Sequence, residues 1–131
     1  MDMLVTPPLN IAIVDDDESV LDAVQTVLDV QGWVTHTYTS GEAFLSDLKH
    51  HKLDCIILDS NLPGLSGAAV AQAISTGVKN IPIISLTAYP GSSQTAKIKR
   101  LVIHEVLVKP VTAEVLIEHI QKAIMPTEEP R

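Results

Sequence analysis

Three short runs in this chain are apolar almost without a break: "IAIV" at Ile11–Val14, "CIIL" at Cys55–Leu58 and "IPIISL" at Ile81–Leu86. Each is short for a helix and rich in β-branched residues, so each reads as a strand. A strand with one wet face alternates apolar and polar residues, whereas a strand apolar on both sides must be covered on both. The segments between the runs supply that cover. From Glu18, "ESVLDAVQTVLDVQG" spaces Val20, Leu21, Val24, Val27 and Leu28 in steps of three and four, an amphipathic helix with Gly32 as its stop. "SGEAFLSDLKHH" predicts a second helix with Ala43, Phe44 and Leu48 inward. "AAVAQAIS" predicts a third, Ser92 to Leu101 encloses a fourth, and a fifth runs from about Thr112, its N-cap, to Ile124. Half-polar "VTHTYT" (Val34–Thr39) reads as an edge strand and "VLV" (Val106–Val108) as a fifth strand. Five strands alternating with five helices predict a doubly wound parallel α/β sheet.

A chain of 131 residues suits one domain, expected over 10–124 with flexible ends at 1–9 ("MDMLVTPPL") and 125–131 ("MPTEEPR"). The net charge of −7 disfavours direct nucleic-acid binding, which needs cations to neutralise phosphates, and docking on anionic membranes. No apolar stretch approaches the ~20 residues of a membrane helix. The single cysteine, Cys55, allows no disulfide within the chain, which fits a reducing, cytoplasmic setting, and its place in an apolar run predicts a core residue.

In doubly wound sheets the ligand site lies beyond the carboxyl ends of the strands. The first strand ends on Asp15 and Asp16, the third on Asp59, the fourth on Thr87 followed by Ala88, and the fifth on Lys109 followed by Pro110. One acid after a strand is ordinarily a turn former or helix cap. Three carboxylates, a hydroxyl and an ammonium at four strand ends are chemically complementary, and they suit phosphoryl transfer. Carboxylates are hard ligands for Mg²⁺, and one can serve as a nucleophile that forms an aspartyl-phosphate. Lysine can neutralise a phosphoryl oxygen and threonine can donate to another. Asp17 and Glu18 read as helix-start residues. The histidines at 36, 50, 51, 104 and 119 stand at no strand end. His50 and His51 are expected in solvent, and Trp33 and Tyr38 in packing.

The segments "IVDDDES", "CIILDSNLPGLSG", "IISLTAY" and "VLVKPVT" stand in the order and spacing of a known family. From Ile11 to Ile124 the chain resembles the receiver domain of two-component response regulators. The resemblance implies a flavodoxin-like sheet of strand order 2-1-3-4-5. It implies Asp59 as phosphoacceptor and Mg²⁺ as cofactor, held by Asp15, Asp16, Asp59 and the backbone carbonyl of Asn61. Thr87 and Lys109 would bind the phosphoryl group, and Ala88 would leave room for it. The Lys109–Pro110 peptide would be cis. A histidine kinase or histidine phosphotransfer protein would supply the phosphoryl group. The implied protein is a switch that assists its own phosphorylation and dephosphorylation rather than an enzyme with a separate substrate. Its output face would comprise the fourth helix, with its Lys97, Lys99 and Arg100, the fifth strand and the fifth helix, and that face could also form a homodimer.

Two departures bear on that output. The aromatic common three residues before the lysine is here Val106, and the usual Gly-Ala pair is Val102-Ile103. Tyr89, two residues after Thr87, is expected to shield the phosphoryl group. Val106 keeps open a degenerate receiver that only binds proteins. A small phosphohydrolase with an Asp15-x-Asp17 nucleophile motif is a third reading, and "KPVTAEVLIEHI" lacks the second acid pair such enzymes need.

Overall fold

The computed structural model describes residues 8–77, 81–100 and 105–124. Its elements are β1 (Asn10–Val14), α1 (Glu18–Val30), β2 (Val34–Tyr38), α2 (Gly41–Asp47), β3 (Cys55–Asp59), α3 (Gly67–Gly77), β4 (Ile83–Thr87), α4 (Ser93–Lys99), β5 (Glu105–Val108) and α5 (Ala113–Ile124). The strands form one parallel sheet in the order β2-β1-β3-β4-β5. The expected α/β architecture and strand order are both present.

Pleating divides the apolar runs between two cores, because successive side chains point to opposite faces. Ile11 and Ile13 of β1, Ile57 of β3 and Ile84 of β4 point to one face. There they meet Leu21, Val24 and Leu28 of α1 and Leu116 and Ile120 of α5. Ala12, Val14, Ile56 and Leu58 point to the other, against Phe44 of α2 and Val70, Ala71 and Ile74 of α3. Burial of each large side chain contributes roughly 1.5–3 kcal/mol. Cys55 is buried within the first core, and its thiol pKa is pushed up to about 12 by that burial.

Several sequence expectations shift by a residue or a turn. Ala43 is exposed rather than inward; α2 buries Gly41 and Phe44 and gives way to a 3₁₀ turn at Leu48–His50. Leu45 and the expected Leu48, both half-buried, pack beside Phe44 against the second core. Leu9, expected in a loose leader, packs against the first core. Residues 1–7 and 125–131, the Val102-Ile103 pair and His104 lie outside the described residues. Asp17 caps α1 as expected, accepting from the Ser19 amide at 2.9 Å. Gly32 ends the same helix with φ +79°, and Thr112 accepts from the Val115 amide at 3.2 Å.

The β2 edge carries a polar network of its own. Tyr38 donates its hydroxyl to Asp47 Oδ2 at 2.6 Å, and His51 Nε2 meets the same oxygen at 3.0 Å. The His51 ring lies 4.3 Å from that of His36, centroid to centroid, and His36 Nε2 is 3.1 Å from Asn10 Oδ1. So β2 is clasped to the end of α2 by side chains that the chain places far apart.

Candidate phosphoacceptor site

Four strand ends meet above the sheet. Asp15 continues the β1 ladder, its amide donating to the Tyr38 carbonyl at 3.0 Å, and the residue is only 2% exposed. Oδ1 accepts from the Asp17 amide at 2.9 Å and Oδ2 from Lys109 Nζ at 3.1 Å. The next residue, Asp16, stands in solvent. The acid run is thereby divided: Asp15 and Asp16 face the site, while Asp17 is spent on the helix.

Asp59 closes β3, 6% exposed. Its Oδ1 accepts from the Asn61 amide at 3.1 Å and lies 3.7 Å from Lys109 Nζ. Both contacts fall on one oxygen. The loop beyond must turn tightly under α3, and Gly67 is where it does so. A Cβ there would meet the Asp59 carbonyl oxygen at 2.5 Å and Ser60 Cα at 2.9 Å.

Oxygens of Asp15, Asp16 and Asp59 all lie within 4.8 Å of one another. Among the described residues, Lys109 is the cation paired with this cluster, bridging Asp15 and Asp59 from the end of β5. Burial holds the Asp59 carboxyl above its ordinary pKa; the Asn61 amide opposes this and the Asp15 charge adds to it. Burial alone would lower the Lys109 pKa, but the hydrogen bond to Asp15 and the charges of Asp59 and Asp15 outweigh it, and the net shift is upward. Three carboxylates and one ammonium leave an excess of negative charge. An all-oxygen donor set of this kind fits a hard divalent cation such as Mg²⁺.

Thr87 ends β4 fully buried. Its Oγ1 accepts from the Tyr89 amide at 3.0 Å and from Asn61 Nδ2 at 3.4 Å, and meets Thr95 Oγ1 of α4 at 2.9 Å. Asn61 therefore spans Asp59 and Thr87, its backbone on one and its side chain on the other. Ala88 is exposed and, with Lys109 and Pro110, lines an open groove of about 610 Å³ against α1. The Lys109 amide donates to the Thr87 carbonyl at 2.7 Å, and the Lys109–Pro110 peptide is cis. Tyr89 is 63% exposed. Val106 is half-buried and pairs in register with Ser85.

The structure thus brings together Asp15, Asp16, Asp59, Asn61, Thr87 and Lys109. It also adds Thr95, which the sequence reading passed over. A threonine in the first turn of a short helix reads as an ordinary helix-start residue. Its one sequence signal is Ser92 three residues earlier, whose Oγ accepts from the Thr95 amide at 3.1 Å.

Comparison with known proteins bears on this arrangement. A family model described as the response regulator receiver domain matches residues 11–121. The heme response regulator HssR of Staphylococcus epidermidis is 39% identical over 80 residues, which cover 61% of this chain and 35% of that one. The response regulator protein TmoT of Ectopseudomonas mendocina is 30% identical over 114 residues, covering 87% and 52%. The chain therefore spans between a third and about half of the length of these relatives. Among solved structures, the receiver domain of the sensor histidine kinase PA1611 from Pseudomonas aeruginosa PAO1 superposes with a TM-score of 0.84 at 22% identity, covering 90% of this chain and 98% of that one. That likeness shows the fold. The crystal structure of that domain carries a magnesium ion coordinated in its active site cleft.

Proposed function

We propose, from the premise that this chain belongs to the response regulator receiver domain family of two-component systems, that it is a phosphorylation-dependent signalling switch with Asp59 as its phosphoacceptor. One observation carries the reading above the others: Lys109 reaches both Asp15 and Asp59 inside a ring of three carboxylates. A lysine satisfied by one partner would suit a structural ion pair. A lysine shared between two acids, with a third acid beside them, suits a site that handles charge in transit.

In this reading Asp59 Oδ1 is held by the Asn61 amide, which leaves Oδ2 to attack phosphorus. The P–O bond to Asp59 forms as the bond to the donor's leaving group breaks. Lys109 shifts its ammonium onto the new phosphoryl oxygens, and Thr87 donates its hydroxyl to another. Asp15, Asp16, Asp59 and the Asn61 carbonyl would hold Mg²⁺, which supplies positive charge against the transferring oxygens. A histidine kinase or histidine phosphotransfer protein supplies the phosphoryl group, in the cytoplasm. The chain acts as a switch rather than as an enzyme with a separate substrate. A homodimer through α4, β5 and α5 and the wider protein's output belong to the same proposal.

Val106 favours a second reading, a receiver that binds partners without being phosphorylated. One experiment separates the two. The protein is incubated with acetyl phosphate and Mg²⁺ and its intact mass measured. The switch gains one phosphoryl group, and Asp59→Asn does not. No gain in the wild-type chain leaves the binding module, and a gain that survives Asp59→Asn moves the chemistry to another carboxylate, Asp15 in a phosphohydrolase.

A further inference from the structure

A switch needs a route from its phosphoacceptor to an exposed surface. Val106 offers a poor one. It lies on the same face of the sheet as Ser85 and Thr87, and its side chain neither donates nor accepts a hydrogen bond. The hydrogen-bonded route out of the site runs instead through α4. Only two side chains of that short helix are buried, Thr95 and Ile98, so Thr95 is half of what seats it.

The direction of that route follows from counting protons. Thr95 Oγ1 carries one proton and donates it to the Tyr89 carbonyl at 2.9 Å. It accepts one from Ser92 Oγ at 3.1 Å. Its 2.9 Å contact with Thr87 Oγ1 must then be made by the Thr87 proton. The Thr87 oxygen already accepts from the Tyr89 amide and from Asn61 Nδ2. The Thr87 hydroxyl is therefore fully committed: one proton given, two lone pairs filled. To donate to a phosphoryl oxygen on Asp59, Thr87 must take its proton from Thr95.

We propose that Thr95 is the positioning residue of the switch. It holds the Thr87 proton in the resting state and passes the release of that proton to α4 and to the loop that enters it. The inference rests on the phosphoacceptor reading above and adds the output route. Loss of the Thr87 bond leaves Thr95 with one donor fewer in a fully buried setting, where an unfilled polar atom is costly. The Tyr89 amide, bonded to the moving hydroxyl, is released with it. Each of β4 and α4 also carries one unpartnered polar atom. Among the described residues, the buried side-chain atoms without a hydrogen-bond partner are Ser85 Oγ on β4 and Gln94 Oε1 on α4.

The test compares wild type, Thr95→Val and Thr95→Ser, each incubated with acetyl phosphate and Mg²⁺. Intact mass gives the rate of phosphorylation. Amide hydrogen exchange over residues 88–99, with and without the phosphoryl group, gives the response of the loop and α4. In Thr95→Val the Thr87 proton is free in advance, so phosphorylation is about fivefold faster, the equivalent of one net buried hydrogen bond. The exchange difference between the two states collapses. Thr95→Ser restores both, which separates the hydroxyl from general loosening, since a merely loosened site would be phosphorylated more slowly. Thr95→Val with an unchanged or lower rate, or with the wild-type exchange difference intact, overturns the inference. A wild-type chain that takes up no phosphoryl group sinks the switch itself and this inference with it.

Discussion

Two polar networks in this molecule are built from similar parts and balanced in opposite ways. At the top of the sheet, among the described residues, the cluster of Asp15, Asp16 and Asp59 is met by one ammonium, that of Lys109, paired with Asp15 and Asp59. At the β2 edge, a single carboxylate, Asp47, is served by two groups, the Tyr38 hydroxyl and the His51 ring. The first has one positive partner for three acids. The second gives its one acid two hydrogen-bonding partners. A network that only has to hold the fold together tends to saturation, because buried polar groups left unpaired are costly. A network left short of positive charge gains when something outside the chain supplies it.

The pKa shifts follow the same division. Burial, reinforced by Asp15, holds Asp59 above its ordinary 3.8. The hydrogen bond from Tyr38 holds Asp47 below it. A raised folded-state pKa contributes stability below the unfolded value and loses it as pH rises. At neutral pH the Asp59 charge therefore weighs against the fold. A depressed pKa does the reverse, so Asp47 stabilises at neutral pH and loses its contribution in acid. His36 falls on the same side as Asp47. Burial, followed by the charge of His51, lowers its pKa from 6.5, and its contribution is lost as pH falls through that region.

The largest way to sharpen the contrast is to supply the missing charge. Saturating Mg²⁺ is expected to raise the melting temperature, with about 2.7 kcal/mol gained at a hundredfold excess over Kd. Asp16→Asn should remove most of that gain, whereas Asp47→Asn should leave it intact. Scanning calorimetry with and without the ion reads both. Next in size is Asp59→Asn in metal-free buffer. The variant should melt above wild type at neutral pH, and the difference should close as the pH approaches the ordinary carboxylate value of 3.8. A variant that melts lower at neutral pH would contradict the imbalance. Tyr38→Phe breaks the saturated network and should lower the melting temperature by about 1–2 °C, a small loss because water competes for Asp47. It should not change the Mg²⁺ increment. The smallest effect is at His36. Replacing it with glutamine should flatten the stability lost as pH falls below 6.5, measured by urea titration at each pH.

The two networks were not equally legible in the sequence. The site could be read because topology does the work. Parallel strands bring their carboxyl ends to one edge, so residues after apolar runs converge whatever their separation in the chain. Asp15 and Lys109 meet across 94 positions for that reason. The β2 clasp could not be read in this way. Tyr38, His36 and His51 meet because a strand and a 3₁₀ turn happen to lie side by side, and no period or strand end marks that contact. His51 was expected to be merely solvated. It is exposed, yet it completes the partners of Asp47. Thr95 was hidden for a different reason. Its part is set by which way one proton points, and residue type alone does not carry that. Element ends also moved. Asn10 and Glu105 extend β1 and β5 by one residue because ladder hydrogen bonds, and not hydrophobicity, set where a strand begins.

Gly67 and Asp59 sit against each other at the two ends of one loop, yet they would fare differently under random mutation. A side chain at 67 collides with backbone atoms, so folding itself rejects most replacements before any partner is consulted. At Asp59 a neutral residue is expected to make the metal-free fold steadier, so folding would not select against its loss. In a mutagenesis library screened only for soluble protein, position 67 should stay nearly fixed while position 59 drifts. The glycine records what the loop needs to exist, and the aspartate records what the loop is used for.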